Sequence, residues 1–206
     1  GNGHGNGAAA DAAPAAAATL TADAAARTGD RESAQLVRAL GMMLENATPA
    51  TIPGQITAAV SNSLRTDVSL LLAAHDTQYA DITTGQDRVM AREITGISVN
   101  LNDQPTLVNA IERRALRSLM PYRSEDELKD LYGCMDIEPI GPTYFQPLVS
   151  QGNLHGVLVT GNPYSGRELN DGDQELLGGH VLQQLAGGAF GEVVAGDAVA
   201  QLVGAG

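Results

Sequence analysis

Two short apolar runs in the last third of the chain, Tyr144 to Val149 and Leu154 to Thr160, are rich in β-forming residues and separated by Ser150-Gln-Gly-Asn153. That spacing predicts a β-hairpin. Asn162-Pro-Tyr-Ser-Gly166 is dense in turn formers. Asn170 then stands where a helix N-cap belongs, with Asp171 and Asp173 in a first turn whose dipole favours negative charge. Leu176, Leu177, Val181 and Leu185 supply the apolar stripe of that helix.

The same periodicities organise the rest of the chain. Leu36, Val37, Leu40, Met43 and Leu44 fall on one face of a helix predicted from Asp30 to Asn46, with Asp30 as its cap. Thr48-Pro49 and Pro53 punctuate its end. Ile56, Val60 and Leu64 place a second helix over Ile52 to Leu64. Val68 to Ala74 is continuous enough in apolar residues to be a strand buried on both faces. Two further strands are expected around Tyr79 to Thr84 and Glu93 to Leu101, with Gly85 and Gly96 marking turns or bulges.

Asn102-Asp103 reads as the cap of a helix from about Gln104 to Leu116, with Leu107, Val108 and Ile111 buried. Ser124-x-x-Glu127 has the spacing of a capping box for a short helix that Gly133 should stop. Residues 133–142 hold two prolines and two glycines and read as a loop. The order αα-β-β-β-α-α-β-β-α, with hairpins as its clearest connections, favours an antiparallel α+β domain over a doubly wound parallel one.

Residues 1–29 are Gly- and Ala-rich, as are residues 191–206, and neither stretch has the side chains to bury a core. Both are expected to be loosely held tails. The intervening chain divides into an amphipathic helix, residues 30–47, and a domain, residues 48–190. Gly3-x-Gly5-x-x-Ala8 matches a dinucleotide fingerprint in letters only, because no strand precedes it and no acid follows in a βαβ unit.

Charge narrows the function. The chain has 206 residues, 24 Asp+Glu against 12 Lys+Arg, and a net charge of −12. Such a field repels phosphate backbones and anionic headgroups, which argues against nucleic acid and membrane surfaces as partners. Arg113, Arg114 and Arg117 are the best local basic run, and a solvated helix face accounts for them. Aromatics are only 3% of residues and Trp is absent, so no stacking platform is supplied and the core must be aliphatic. One cysteine, Cys134, excludes an intrachain disulfide and an all-thiolate zinc site. No apolar run approaches bilayer length and no basic-then-apolar leader is visible, so a cytoplasmic location is the expectation.

From Pro49 to Phe190 the element order resembles that of GAF domains. The resemblance is carried by Ile56-x-x-x-Val60 before Asp67-Val-Ser-Leu-Leu-Leu72, by Pro147-Leu-Val before Gly152-x-Leu154-x-Gly156-Val-Leu, and by Leu169-Asn-Asp-Gly-Asp173-x-x-Leu176-Leu177. It implies an antiparallel sheet of five or six strands with helices on both faces. The first and last helices would share one face, and the other, roofed by the middle helices and loops, would hold a pocket in ligand-binding members. PAS domains share the sheet-with-pocket design. The resemblance further implies a non-catalytic sensory or regulatory module, with the ligand and any cofactor unidentified.

Several family chemistries lack their residues here. The cyclic-nucleotide type needs an Asn-Lys-Phe-Asp-Glu set, and the one lysine, Lys129, sits among charged helix residues. The bilin type uses a Cys commonly followed by His, whereas Cys134 is followed by Met135 and lies close to Pro147. The methionine sulfoxide reductases of this fold turn over through several cysteines, which one thiol cannot replace.

The candidate ligand-binding residues are Tyr132, Cys134, Met135, Thr143 and Tyr144, a concentration of scarce aromatic and sulfur side chains beneath the expected loop roof. Simple core packing explains the same concentration. Leu36, Leu40, Met43 and Leu44 are the candidate homodimer stripe, in a parallel bundle with the final helix. Ligand-free dimerisation is the alternative task, and a fused or separate output domain the expected recipient of the signal. His4, His75, His155 and His180 are scattered, so no metal site is expected, and no catalytic residue is assigned. Ser150 and Ser165 lack a nucleophile-elbow context, and His155 with Asp173 or Glu175 has no supporting motif.

Overall fold

In the computed structural model the described residues are 51–74 and 77–179, together with Ala34, Arg38, Met42 and Thr48. The tails, most of the 30–47 helix with its Leu36, Leu40, Met43 and Leu44 stripe, and Val181 and Leu185 lie outside them. So do His4, His75 and His180.

Helix α1 spans Ile52–Leu64, with proline in its first turn, where no N–H is needed. Strands follow at β1 (Val68–Ala74) and β2 (Tyr79–Asp87). The single strand expected over Glu93 to Leu101 is instead two pieces, β3 (Arg92–Glu93) and β4 (Ile97–Asn100). Gly96, at φ +70°, turns the chain between them, a conformation open to glycine at little cost.

A 3-10 turn at Leu101–Asp103 leads into α2 (Pro105–Arg113). Asn102 and Asp103 therefore do not cap α2. Asn100 caps the 3-10 turn through Asn102 N–H, and Gln104 is the N-cap of α2 without a side-chain cap bond. The helix expected to reach Leu116 ends at Arg113, where Arg114 takes left-handed φ +50°, and Arg117–Leu119, for which no element was expected, is the short strand β5.

Helix α3 covers Glu125–Gly133. Ser124 makes no side-chain cap bond, so the predicted capping box does not form there. Gly133 is its last residue, and the left-handed turn falls later, at Asp136 (φ +57°). The hairpin is β6 (Thr143–Ser150) and β7 (Asn153–Gly161), joined by Gln151-Gly152, both at positive φ as a type I′ turn requires. Helix α4 (Asp171–Gly178) opens on a complete capping box, Asn170 with Asp173.

All seven strands join one antiparallel sheet of order β3-β2-β1-β7-β6-β5, with β4 also on β2. The count exceeds the expected five or six because one strand is split at Gly96 and β5 is gained. Period-two alternation sorts the side chains into two cores. Val68, Leu70, Leu72, Ile82, Phe145, Val157 and Val159 meet α2 and α3 through Leu107, Ala110, Leu128, Leu131 and Tyr132. Leu71, Tyr144, Leu148 and Leu158 meet α1 and α4 through Ile56, Val60, Leu64 and Leu177. Burying each Leu or Ile contributes about 1.5–3 kcal/mol. The first and last described helices thus share one face, and the middle helices cover the other.

Candidate functional site

Tyr132 lies in the core between the sheet and the middle helices. Its hydroxyl is 2.7 Å from Thr143 Oγ1, and Thr143 Oγ1 donates to Gly141 O at 3.0 Å. Both side chains are fully buried, and burial raises the Tyr132 phenol above its ordinary pKa. The phenol fits because position 161 is glycine: a Cβ there would overlap the Tyr132 hydroxyl. Met135 and Phe145 belong to the same core.

The structure therefore brings Tyr132, Met135 and Thr143 together on one side of the sheet. Tyr144 faces the other side, in the core beneath α1 and α4, and its hydroxyl accepts from Leu169 N–H at 2.8 Å. Cys134 turns away from both cores. Its thiol donates to Leu131 O at 3.0 Å, and burial pushes its pKa up to about 11, so it is a poor thiolate at neutral pH.

Cys134 also borders a groove of about 210 Å3 between β4 and the end of α3, with Asn100, Asp103, Gln104 and Asp130 among its walls. A second groove of about 200 Å3 runs between α1 and the β2–β3 edge, past Thr57, Thr84, Gln86, Glu93 and Thr95.

A polar clasp closes one end of the sheet, and the sequence reading missed it. Asp67, at the start of β1, accepts from Tyr164 N–H, Ser165 N–H and the Ser165 hydroxyl at 2.7–3.0 Å. Asp87, at the end of β2, accepts from Val89 and Met90 N–H through one oxygen and from the Tyr164 hydroxyl, at 2.7 Å, through the other. Arg92 Nε lies 3.5 Å from that second oxygen, while its guanidinium also donates to Met135 O at 2.6 Å. Burial, then the Asp87 carboxylate, pushes the Tyr164 pKa up to about 12. The only signals were Asp67, directly before the apolar run Val68 to Ala74, and a turn, Asn162 to Gly166, read for its backbone alone; Asp87 ends a mostly polar strand.

Three donors converge on one Asp67 oxygen, and both Asp87 oxygens accept, so the two carboxylates hold the turn and the strand ends together. Ser165 is a ligand of Asp67. Asp173 is engaged by Asn170 and Arg167. Arg114 donates to Gly152 O, and Arg117 to Asn109 Oδ1 and Leu116 O, so these two arginines tie α2 and β5 to neighbouring backbone and side chains. Among the described residues no three His, Cys, Asp or Glu side chains are grouped to hold a metal, and no helix is long and apolar enough to cross a membrane.

No protein-family model matches the sequence, and no curated protein matches it. Solved structures do match its fold. The GAF domain of an Acinetobacter phosphoenolpyruvate-protein phosphotransferase aligns with TM-score 0.61 at 12% identity, over 79% of this chain and 95% of that one. The corresponding domain from Coxiella burnetii aligns with TM-score 0.59 at 13% identity, over 83% and 98%. The GAF-B domain of DevS from Mycobacterium smegmatis aligns with TM-score 0.56 at 20% identity, over 74% and 99%. The chain has the GAF-domain fold.

Proposed function

We propose that this GAF-fold chain is a non-catalytic sensory or regulatory module. A small ligand or partner would be read on the middle-helix side and transmitted through α1 and α4 to an output domain, fused or separate. The observation that carries the reading is one arginine. Arg167 donates to Leu64 O at the end of α1 and to Asp173 Oδ2, at 3.1 Å, in the capping box of α4. The helices entering and leaving the sheet are thereby joined on one face, so displacement of one is felt by the other. Population shift between two packings of such a pair is a sufficient signal. In this reading the module is a cytoplasmic homodimer, paired through Leu36, Leu40, Met43 and Leu44 with the final helix.

A ligand-free dimerisation scaffold is the second reading, favoured by the burial of Tyr132, Met135 and Phe145 to 1% exposure or less. Side chains packed to that degree fill the space a ligand would need. Native mass spectrometry of the purified protein separates the two. A dimer with a discrete extra mass per chain supports the sensory reading, a dimer at the bare mass supports the scaffold, and a bare monomer removes the helix-pairing mechanism.

A further inference from the structure

The loop between β7 and α4, residues 162–170, wraps the end of the sheet and places one side chain in each core. Tyr164 packs against the core under α2 and α3, whereas Leu169 belongs to the core under α1 and α4. Between the two runs a continuous series of hydrogen bonds. The Tyr164 N–H donates to Asp67 Oδ2 at 3.0 Å, and the Asp67 N–H donates to Asn162 Oδ1 at 3.0 Å. Asn162, fully buried, donates in turn through Nδ2 to Arg167 O at 2.6 Å. Arg167 is the residue whose guanidinium reaches both Leu64 O of α1 and Asp173 of α4.

The series starts on the other side of the sheet, just past α3. Met135 is buried in the middle-helix core, and its carbonyl accepts from Arg92 at 2.6 Å. The same guanidinium stands 3.5 Å from Asp87 Oδ2, the oxygen that also accepts the Tyr164 hydroxyl at 2.7 Å. Arg92 thus divides itself between Met135 O and Asp87, and it shares one oxygen with Tyr164. A shift of the chain at Met135 changes how Arg92 loads that oxygen, and with it the hold on Tyr164. The Asp87 side chain has no exposure to water, so solvent and salt screen such a change only weakly.

We propose that the 162–170 loop carries a change in the middle-helix core round the end of the sheet to α1 and α4, with Tyr164 as its positioning residue. The proposal deepens the sensory reading and rests on it, since it names the route by which the middle-helix side reaches Arg167. That route has two entries, the Tyr164 ring packed on the core and the Tyr164 hydroxyl on Asp87. It has one exit, Arg167. A network of packed and hydrogen-bonded groups transmits a bias only where it has two arrangements. Arg92 supplies them: bonded to Met135 O, or released to close on Asp87.

The test is a double-mutant cycle on the full chain, Arg92→Gln with Arg167→Gln, read by urea unfolding. The two guanidinium groups bond to different partners. Acting independently, their effects on the unfolding constant multiply to within about a factor of two, whereas the relay predicts a departure of roughly threefold or more. That departure should vanish when the cycle is repeated on Tyr164→Phe, which keeps the ring and removes the hydroxyl. The amide signals of Asp173 and Gln174 should also shift in Arg92→Gln, a response that a loop serving only as a staple does not give. Multiplicative effects, a departure that survives Tyr164→Phe, or unmoved α4 signals would each overturn the relay. Native mass spectrometry reads ligand and dimer independently of these variants, so the relay and the sensory reading fail separately.

Discussion

Glu127 caps a helix that is not its own. From the first turn of α3 its carboxylate accepts the Thr106 N–H of α2 at 2.7 Å and the Thr106 hydroxyl at 3.0 Å. Helix α2 has no side-chain cap of its own, and Glu127, at 4% exposure, supplies what Gln104 does not. Glu127→Ala should therefore lower stability by about 1–2 kcal/mol, the usual cost of a lost cap. Ser124→Ala should change it far less, the reverse of the order a local capping box predicts. Chemical denaturation of the two variants checks the ranking.

Gly161 and Tyr132 are sterically locked. Gly161→Ala sets a methyl against the Tyr132 hydroxyl and within 3.1 Å of Thr143 Oγ1, and overpacking of this kind costs about 1–3 kcal/mol. Tyr132→Phe removes the obstructing oxygen, so the double variant should be less destabilised than the sum of the two single changes. A double-mutant cycle by thermal denaturation reads the coupling.

Tyr164 makes stability fall at high pH. Its folded pKa, about 12, lies above the roughly 10 of an unfolded tyrosine, so folding favours the neutral phenol. The contribution is complete below pH about 10 and is lost as pH rises through 12. Tyr164→Phe should flatten that part of the stability profile and remove one late phenolate transition from the ultraviolet titration. An unchanged profile would separate Tyr164 from the Asp87 clasp.

Thr160 is a place where the protein gives up stability. It is fully buried between Ser69 and Tyr144 in the β1–β7–β6 ladder, and its hydroxyl has no hydrogen-bond partner among the described residues. Thr160→Val keeps the shape and removes the unmet oxygen. The expected result is a gain of about 1 kcal/mol, seen as a higher midpoint in urea. A loss of that size would reveal a partner for the hydroxyl.

The sheet and its helices were legible because they rest on local signals. Apolar runs gave β1, β6 and β7, and Asn170 with Asp173 gave the start of α4 as the structure has it. Short elements failed for the opposite reason. Arg117–Leu119 is a strand only because Phe145, Tyr144 and Thr143 lie beside it, and three residues carry no periodicity of their own. Glu127 was read at the right spacing and assigned to the wrong helix, because a cap across a tertiary contact leaves no trace in sequence distance. Tyr132, Met135 and Thr143 are neighbours as their clustering implied. Tyr144 is not, since adjacent strand residues point to opposite faces. Asp67, Asp87 and Tyr164 converge from three distant segments, which no local pattern announces.

The pairing of β1 with β7 sets Val68 opposite Gly161, so one of the first strands is completed by the last. Closing so long a loop is slow, and during synthesis β1 has β2 on one side and nothing on the other until the hairpin has emerged. Premature chain ends before residue 161 would leave that apolar strand as an open edge, a template for intermolecular pairing. Translation pausing ahead of the hairpin should therefore increase aggregation, whereas pausing after it should not.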